Sequence, residues 1–108
     1  MPLQETGRIY EINGEEIILF PMSKLVNELE KIGYSRDAQT IRKWETSGVT
    51  PPAIFKRGNK RLYSEEQIET YCRIAKECDI RQGLSIATTD FSERIWEELT
   101  ELNKKYTN

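Results

Sequence analysis

The stretch SRDAQTIRKWETSG, residues 35–48, decides how this chain folds. Its inward positions recur every three residues, which predicts one buried face of a helix; they are Ala38, Ile41 and Trp44, with Glu45 beside them. Ser35 is predicted to cap this helix, Asp37 lies in the first turn where the helix dipole favours a carboxylate, and Gly48 ends it. The opposite face is polar and basic.

A second amphipathic helix is predicted immediately before this one. Apolar residues follow Pro21 at spacings of three and four and trace one helical face that ends near Gly33: Met22, Leu25, Leu29 and Ile32. Only Gly33-Tyr34-Ser35 separates the two helices. Two helices joined by so tight a turn form a helix–turn–helix, which presents its second helix to a DNA major groove.

A basic hairpin is predicted after the second helix. Pro51-Pro52 enforces extended chain, and two short β-prone runs, residues 53–57 and 60–63, flank Gly58-Asn59. Glycine first in a two-residue loop favours a type II′ hairpin. Four positive charges surround its tip, so this hairpin is predicted to be a wing.

Three further elements are predicted outside this centre. Asn13-Gly14 favours a tight hairpin between Arg8–Ile12 and residues 15–20, which we expect to form an extra layer capping the first helix. Ser64 and Gln67 are predicted to form a capping box that begins a helix reaching about Cys78. Asp90 and Glu93 are predicted to form a second capping box. The helix after Asp90 is amphipathic, with Trp96 beside a stripe of Phe91, Ile95, Leu99, Leu102 and Tyr106.

The predicted fold class is mainly α with a small β component. It is a winged helix–turn–helix with an extra N-terminal β-hairpin and a C-terminal amphipathic helix. We expect an N-terminal hairpin over residues 1–21, a winged-helix DNA-binding domain over 22–86, and a C-terminal helix over 87–108 that serves packing or dimerisation.

Charge is strongly segregated along the 108 residues, although the net charge is only −2. Residues 35–63 hold 7 basic and 2 acidic groups, whereas residues 64–108 hold 6 basic and 10 acidic groups. Affinity for DNA depends on the cations that contact phosphates more than on the distant total. A basic centre between acidic flanks therefore remains compatible with nucleic acid.

Composition argues against several other classes. The chain has no histidine, which excludes imidazole metal sites and catalytic arrangements that require histidine. Cys72 and Cys78 are six residues apart, so on a helix they face different directions and are expected to be core thiols. The longest apolar run, residues 17–20, is far short of the roughly 20 residues of a membrane span. We expect no enzyme activity, no metal, no cofactor and no membrane partner, and a cytoplasmic location in a bacterial nucleoid or, for a phage protein, in the host.

Several local motifs resemble a known family. TIRKWE at residues 40–45, Gly48-Val49, Pro51-Pro52 and KRLYSEEQI at residues 60–68 are similar to the DNA-binding domain of MerR-family regulators and of excisionase-like winged helices. The resemblance covers about residues 22–86. It implies that Arg42 contacts DNA, that Trp44 packs, and that Arg61 and Tyr63 form the wing and its exit. Lys43 stands where the family usually has an aromatic residue; a lysine can neutralise a phosphate but cannot stack.

The predicted DNA contacts lie on the second helix and the wing. They are Arg36, Gln39, Thr40, Arg42, Lys43, Lys56, Arg57, Asn59, Lys60, Arg61 and Tyr63. The alternative is a solvated helix face beside a charged hairpin that discourages edge-to-edge aggregation. The C-terminal stripe, with Trp96, is a candidate homodimer interface, which would imply inverted-repeat DNA sites, or it folds back onto the chain's own core.

The leading functional hypothesis is a sequence-specific double-stranded DNA-binding protein that acts as a transcription regulator. One alternative is an excisionase-like DNA-bending factor of a phage or mobile element. Another is a protein-interaction adaptor on a winged-helix fold. Double-stranded DNA and a second copy of the chain are the expected partners, with a polymerase or recombinase as a possible protein partner.

Overall fold

The computed structural model describes residues 7–80 and 89–107, in which four helices accompany one small four-stranded sheet. The elements in chain order are β1 Arg8–Ile12, β2 Glu15–Pro21, α1 Met22–Lys31, α2 Ala38–Thr46, β3 Phe55–Arg57, β4 Lys60–Ser64, α3 Glu65–Cys78 and α4 Phe91–Asn103. This order agrees with the predicted combination of helices and a small β component. The boundary predicted between residues 86 and 87 lies outside the described residues.

The sheet joins the two predicted hairpins edge to edge in the order β1-β2-β4-β3, with every pair antiparallel. Asn13 and Gly14 have φ values of 53° and 82°, as the predicted turn requires. Strand β2 also pairs with β4 through Leu19↔Ser64, Phe20↔Tyr63 and Pro21↔Leu62. The N-terminal hairpin is therefore part of the same sheet as the β3–β4 hairpin, because β2 satisfies backbone groups of β4 that would otherwise be unpaired.

Helix α2 begins later than the sequence analysis predicted. Its N-cap is Asp37, whose carboxylate accepts a hydrogen bond from the backbone N–H of Thr40 at 2.8 Å. Ser35 does not cap the helix, because the charged Asp37 carboxylate, two residues nearer, already accepts a hydrogen bond from the first turn. Gly48, with φ 84°, follows the helix as predicted.

The main core lies where all four helices meet. Leu25 and Leu29 of α1, Ile41 of α2, Ile74 of α3 and Phe91 of α4 are each at most 1% exposed. The ring centroids of Trp44 and Phe91 are 5.2 Å apart, so α4 packs directly against the helix–turn–helix. Aromatic packing of this kind fixes the position of α2 on the core.

The apolar residues of the C-terminal stripe pack inside the chain, and the homodimer stays a prediction. Phe91, Ile95 and Leu99 are buried in the main core, and Tyr106 is buried in a second cluster with Leu19, Phe55 and Leu62. Leu102 is half-buried and packs against both clusters. These apolar side chains already have partners within one chain, so the fold-back alternative describes their packing.

The capping box predicted at the start of α4 does not form. The Asp90 side chain makes no cap hydrogen bond, and the backbone N–H of Phe91 donates to Oγ1 of Thr89 at 3.3 Å. The box at Ser64 and Gln67 does form. None of the helices among the described residues is long and apolar enough to cross a membrane.

Candidate nucleic-acid interface

One face of α2 is exposed and carries hydrogen-bonding side chains. Gln39, Arg42 and Lys43 are exposed, and their spacings of three and four place them on one side of the helix. Ile41 and Trp44 face the core at 0% and 6% exposure. Thr40 is half-buried beside the cap. Three of the residues predicted on this helix thus share a free face.

The tip of the β3–β4 hairpin concentrates positive charge. Lys56, Arg57, Asn59 and Lys60 are all exposed. The register places Arg57 opposite Lys60 and Lys56 opposite Arg61. Like charges directly across a strand pair reduce stability, so this arrangement is costly unless an anion neutralises it.

The two carboxylates of residues 35–63 are both engaged within the protein. Asp37 caps α2, and hydrogen bonds from Thr40 hold the pKa of its carboxyl below the usual value. Glu45 contacts Arg61 and also accepts a hydrogen bond from the backbone N–H of Ala53 at 3.3 Å. Among the described residues, five cations of this region consequently lack a carboxylate partner: Arg42, Lys43, Lys56, Arg57 and Lys60.

Arg61 is a link between the two basic elements rather than a freely exposed cation. Its Nε atom lies 2.8 Å from Oε2 of Glu45, and the two side chains are 18% and 4% exposed. The two atoms form a close charge contact without the alignment of a hydrogen bond. Arg61 therefore positions β4 against α2, and its contact with DNA stays a prediction.

Two other predicted DNA contacts are placed elsewhere. Tyr63 is 3% exposed and packs edge-on against Tyr71, and burial raises the pKa of its hydroxyl, so it is a core residue. Arg36 precedes α2 and donates to the backbone oxygens of Ser35 and Ile80 at 2.8 and 2.7 Å. It fastens the start of the helix to the end of α3.

An open groove of about 890 Å³ lies between α2, the β3–β4 hairpin and the N-terminal hairpin. Among the described residues, five cations border it and no carboxylate does: Arg8, Arg42, Arg57, Lys60 and Arg61. Arg8 was not among the predicted contacts. No local sequence pattern around Arg8 indicates that it borders the groove, because it is the pairing of β2 with β4 that brings β1 to the groove.

Helix α4 holds the segment that follows α2. The indole N–H of Trp96 donates to the backbone oxygen of Gly48 at 2.8 Å, and the Ser92 hydroxyl donates to that of Val49 at 2.7 Å. Trp96 remains 40% exposed. The polar edge of its indole thus fixes the end of the exposed helix.

Two helices are joined by residues 32–37, a connection longer than the predicted three residues because α2 begins later. Such a pair, whose second member exposes polar and basic side chains beside a basic hairpin, defines a helix–turn–helix DNA-binding protein. Residues 24–88 match the family described as MerR HTH family regulatory protein, and the chain belongs to this family. It is accordingly a DNA-binding transcription regulator. No curated protein and no protein of solved structure matches the chain.

Proposed function

We propose that this chain recognises a specific sequence in double-stranded DNA, with α2 in the major groove and the β3–β4 hairpin acting as a wing on the flanking backbone. The observation that carries the proposal is the shared groove. Cations from both elements border it, and no carboxylate of residues 7–80 or 89–107 does. A phosphate backbone is the extended polyanion that matches such a surface.

The two elements have different tasks in this proposal. Gln39 and Arg42 have the donors and acceptors that read base edges, with arginine suited to guanine, while Lys43 and Thr40 contact the backbone nearby. The hairpin supplies non-specific affinity through Lys56, Arg57, Asn59 and Lys60. Sequence choice therefore resides mainly on α2 and affinity mainly on the hairpin.

The acidic remainder of the chain supports selectivity. Residues 64–108 hold 10 acidic and 6 basic groups, so this part of the chain repels DNA at long range. Only a site that engages α2 and the hairpin together compensates for this repulsion. We place the protein's action on the bacterial nucleoid or on phage DNA in a host cytoplasm.

Selection from a random duplex library tests the proposal. We expect enrichment of one motif. Arg42→Ala should relax preference at one base position, at a cost of about 1–3 kcal/mol, whereas Lys60→Ala should weaken all sequences about equally. Lys76→Ala is the control, because Lys76 is an exposed cation on α3 that does not border the groove.

The symmetry of the selected sites distinguishes the remaining alternatives. An inverted repeat would indicate two protomers on one site, and a single asymmetric motif would indicate one. Tandem repeats together with strong DNA bending would favour the excisionase-like alternative. Absence of duplex binding at low salt would contradict the proposal and favour a protein-interaction adaptor.

A further inference from the structure

Strand β1 places one exposed arginine, Arg8, beside the basic groove. We propose that Arg8 contacts a DNA phosphate, so that the N-terminal hairpin widens the DNA-binding surface beyond α2 and the β3–β4 hairpin. This inference rests on the proposed function. It adds a contact outside the residues 24–88 that the family match covers.

The sheet register puts Arg8 on the same face as two cations of the β3–β4 hairpin. Arg8 lies opposite Leu19, and Leu19 lies opposite Ser64 of β4. Residues directly opposite one another project to the same face, and so do alternate residues along a strand. Lys60 is four residues before Ser64 on β4 and therefore shares its face. Arg57, the cross-strand partner of Lys60, lies on that face as well.

Part of this face of the sheet is covered, and part borders the groove. Tyr106 packs with Leu19, Phe55 and Leu62. Leu19 and Leu62 also line the groove that Arg8 borders, so the groove begins beside this packed cluster.

The described carboxylates of the N-terminal hairpin, at positions 11, 15 and 16, do not neutralise Arg8. Glu11 and Glu16 are opposite each other and alternate to the other face of the sheet. Glu15 shares the face of Arg8 but lies four residues along β2 from Leu19, which is about 13 Å. It lies toward the Asn13-Gly14 turn and away from Pro21, which borders the groove. Among the described residues, Arg8 has no ion-pair partner.

The start of α1 adds positive potential to the same groove. Pro21 is the N-cap and supplies no side-chain acceptor, and the first turn contains no acidic residue. The partial positive charge of the helix dipole is therefore not offset by a carboxylate there. Pro21 borders the groove with Arg8, so both features favour an anion at one place.

A structural alternative is that Arg8 only protects an exposed edge. Strand β1 is at the edge of the sheet, and charged side chains on edge strands discourage aggregation. That role does not require a groove bordered by other cations, and it predicts no effect of Arg8 on DNA binding. The two roles are separable by experiment.

The experiment measures binding of the full chain to a labelled duplex that carries the selected motif, as a function of salt. Arg8→Gln removes the charge but retains a polar stem. We expect binding about 5- to 10-fold weaker near 0.1 M salt, and a plot of log K against log salt that is shallower by about one unit. Arg8→Lys should retain the wild-type slope, and Lys76→Gln is the matched control.

Trimming the duplex base pair by base pair from each end locates the contact. The difference in affinity between wild type and Arg8→Gln should disappear when one end of the duplex is trimmed. It should persist when the other end is trimmed. Equal affinity and slope for wild type and Arg8→Gln would overturn the inference while leaving the proposed function standing. An equal loss in Lys76→Gln would also overturn it, and failure of the wild type to bind duplex would overturn the proposed function itself.

Discussion

Arg61 of β4 holds its Nε atom 2.8 Å from Oε2 of Glu45 on α2, and Glu45 is nearly buried. The contact joins the two elements that carry the exposed cations. The contact fixes the distance between α2 and the β3–β4 hairpin, because moving either side chain would leave a buried charge unpaired. In the proposed complex, the helix and the hairpin would therefore meet DNA as one preformed surface.

Replacing Glu45 by alanine should destabilise the fold by about 3 kcal/mol, since it leaves the mostly buried Arg61 without its partner. The double change Glu45→Met with Arg61→Met should recover much of that loss because no unpaired charge remains. Urea unfolding measures both. Glu69→Ala on the exposed side of α3 is the control, and a change for Glu45→Ala no larger than this control would contradict the prediction.

Removing the Tyr106 hydroxyl should loosen the attachment of the C-terminal segment. The hydroxyl lies 3.0 Å from Oγ of Ser64 and 3.1 Å from Oε1 of Glu66. Tyr106→Phe keeps the ring in its cluster and should cost about 1 kcal/mol in unfolding free energy. Tyr10→Phe is the matched change, because Tyr10 is half-buried and its hydroxyl has no hydrogen-bond partner among the described residues. Equal stabilities of the two variants would argue against the role of this hydroxyl.

The contacts from α4 to residues 48 and 49 should protect the end of α2. The backbone N–H groups of Val49 and Thr50 both donate to the backbone oxygen of Trp44. Combining Ser92→Ala with Trp96→Phe removes two neighbouring hydrogen bonds, each worth about 1 kcal/mol. We expect faster hydrogen exchange at Val49 and Thr50 and weaker DNA binding. Thr100→Ala, an exposed change on α4, should alter neither, and unchanged exchange in the double variant would refute the prediction.

Acid should destabilise the packing of α3 on α4 through Glu98. Hydrogen bonds from Arg73 and Arg94 hold the pKa of Glu98 below its ordinary value of 4.5. Because the folded-state pKa is the lower one, the stabilisation is complete above pH 4.5 and is lost as the pH falls through the folded-state pKa. Glu98→Gln should therefore flatten the dependence of stability on pH below about 5. Glu97→Gln, a neighbouring exposed change, is the control and should keep the wild-type dependence of stability on pH. Parallel curves of stability against pH for wild type and Glu98→Gln would contradict the assignment.

Elements specified by local chemistry were predictable from the sequence. The turn at Asn13-Gly14 needs positive φ angles, and the capping box at Ser64 needs only Gln67 three residues later. The pairing of β2 with β4 was not predictable, because it joins segments more than 40 residues apart and depends on which strand edge needs partners. For the same reason, the position of Arg8 beside the groove was not predictable.

The exposed face of α2 was also predictable, since helical periodicity separates Ile41 and Trp44 from Arg42 and Lys43. The positions of Arg36, Arg61 and Tyr63 were not. Each has the residue type of a DNA contact, yet tertiary partners decide its environment. Arg36 reaches the backbone of Ile80, Arg61 meets Glu45, and Tyr63 enters the core.

The most direct test of the central claim is the salt dependence of duplex binding by the wild-type chain. With about four to six phosphates contacted, log K should fall linearly against log salt with a slope of about −3.6 to −5.4, since each contact contributes about −0.9. The Arg42→Ala, Arg57→Ala and Lys60→Ala variants should each bind more weakly than Lys76→Ala. No binding to any duplex at low salt, or binding that is independent of salt and unchanged in these variants, would contradict the account.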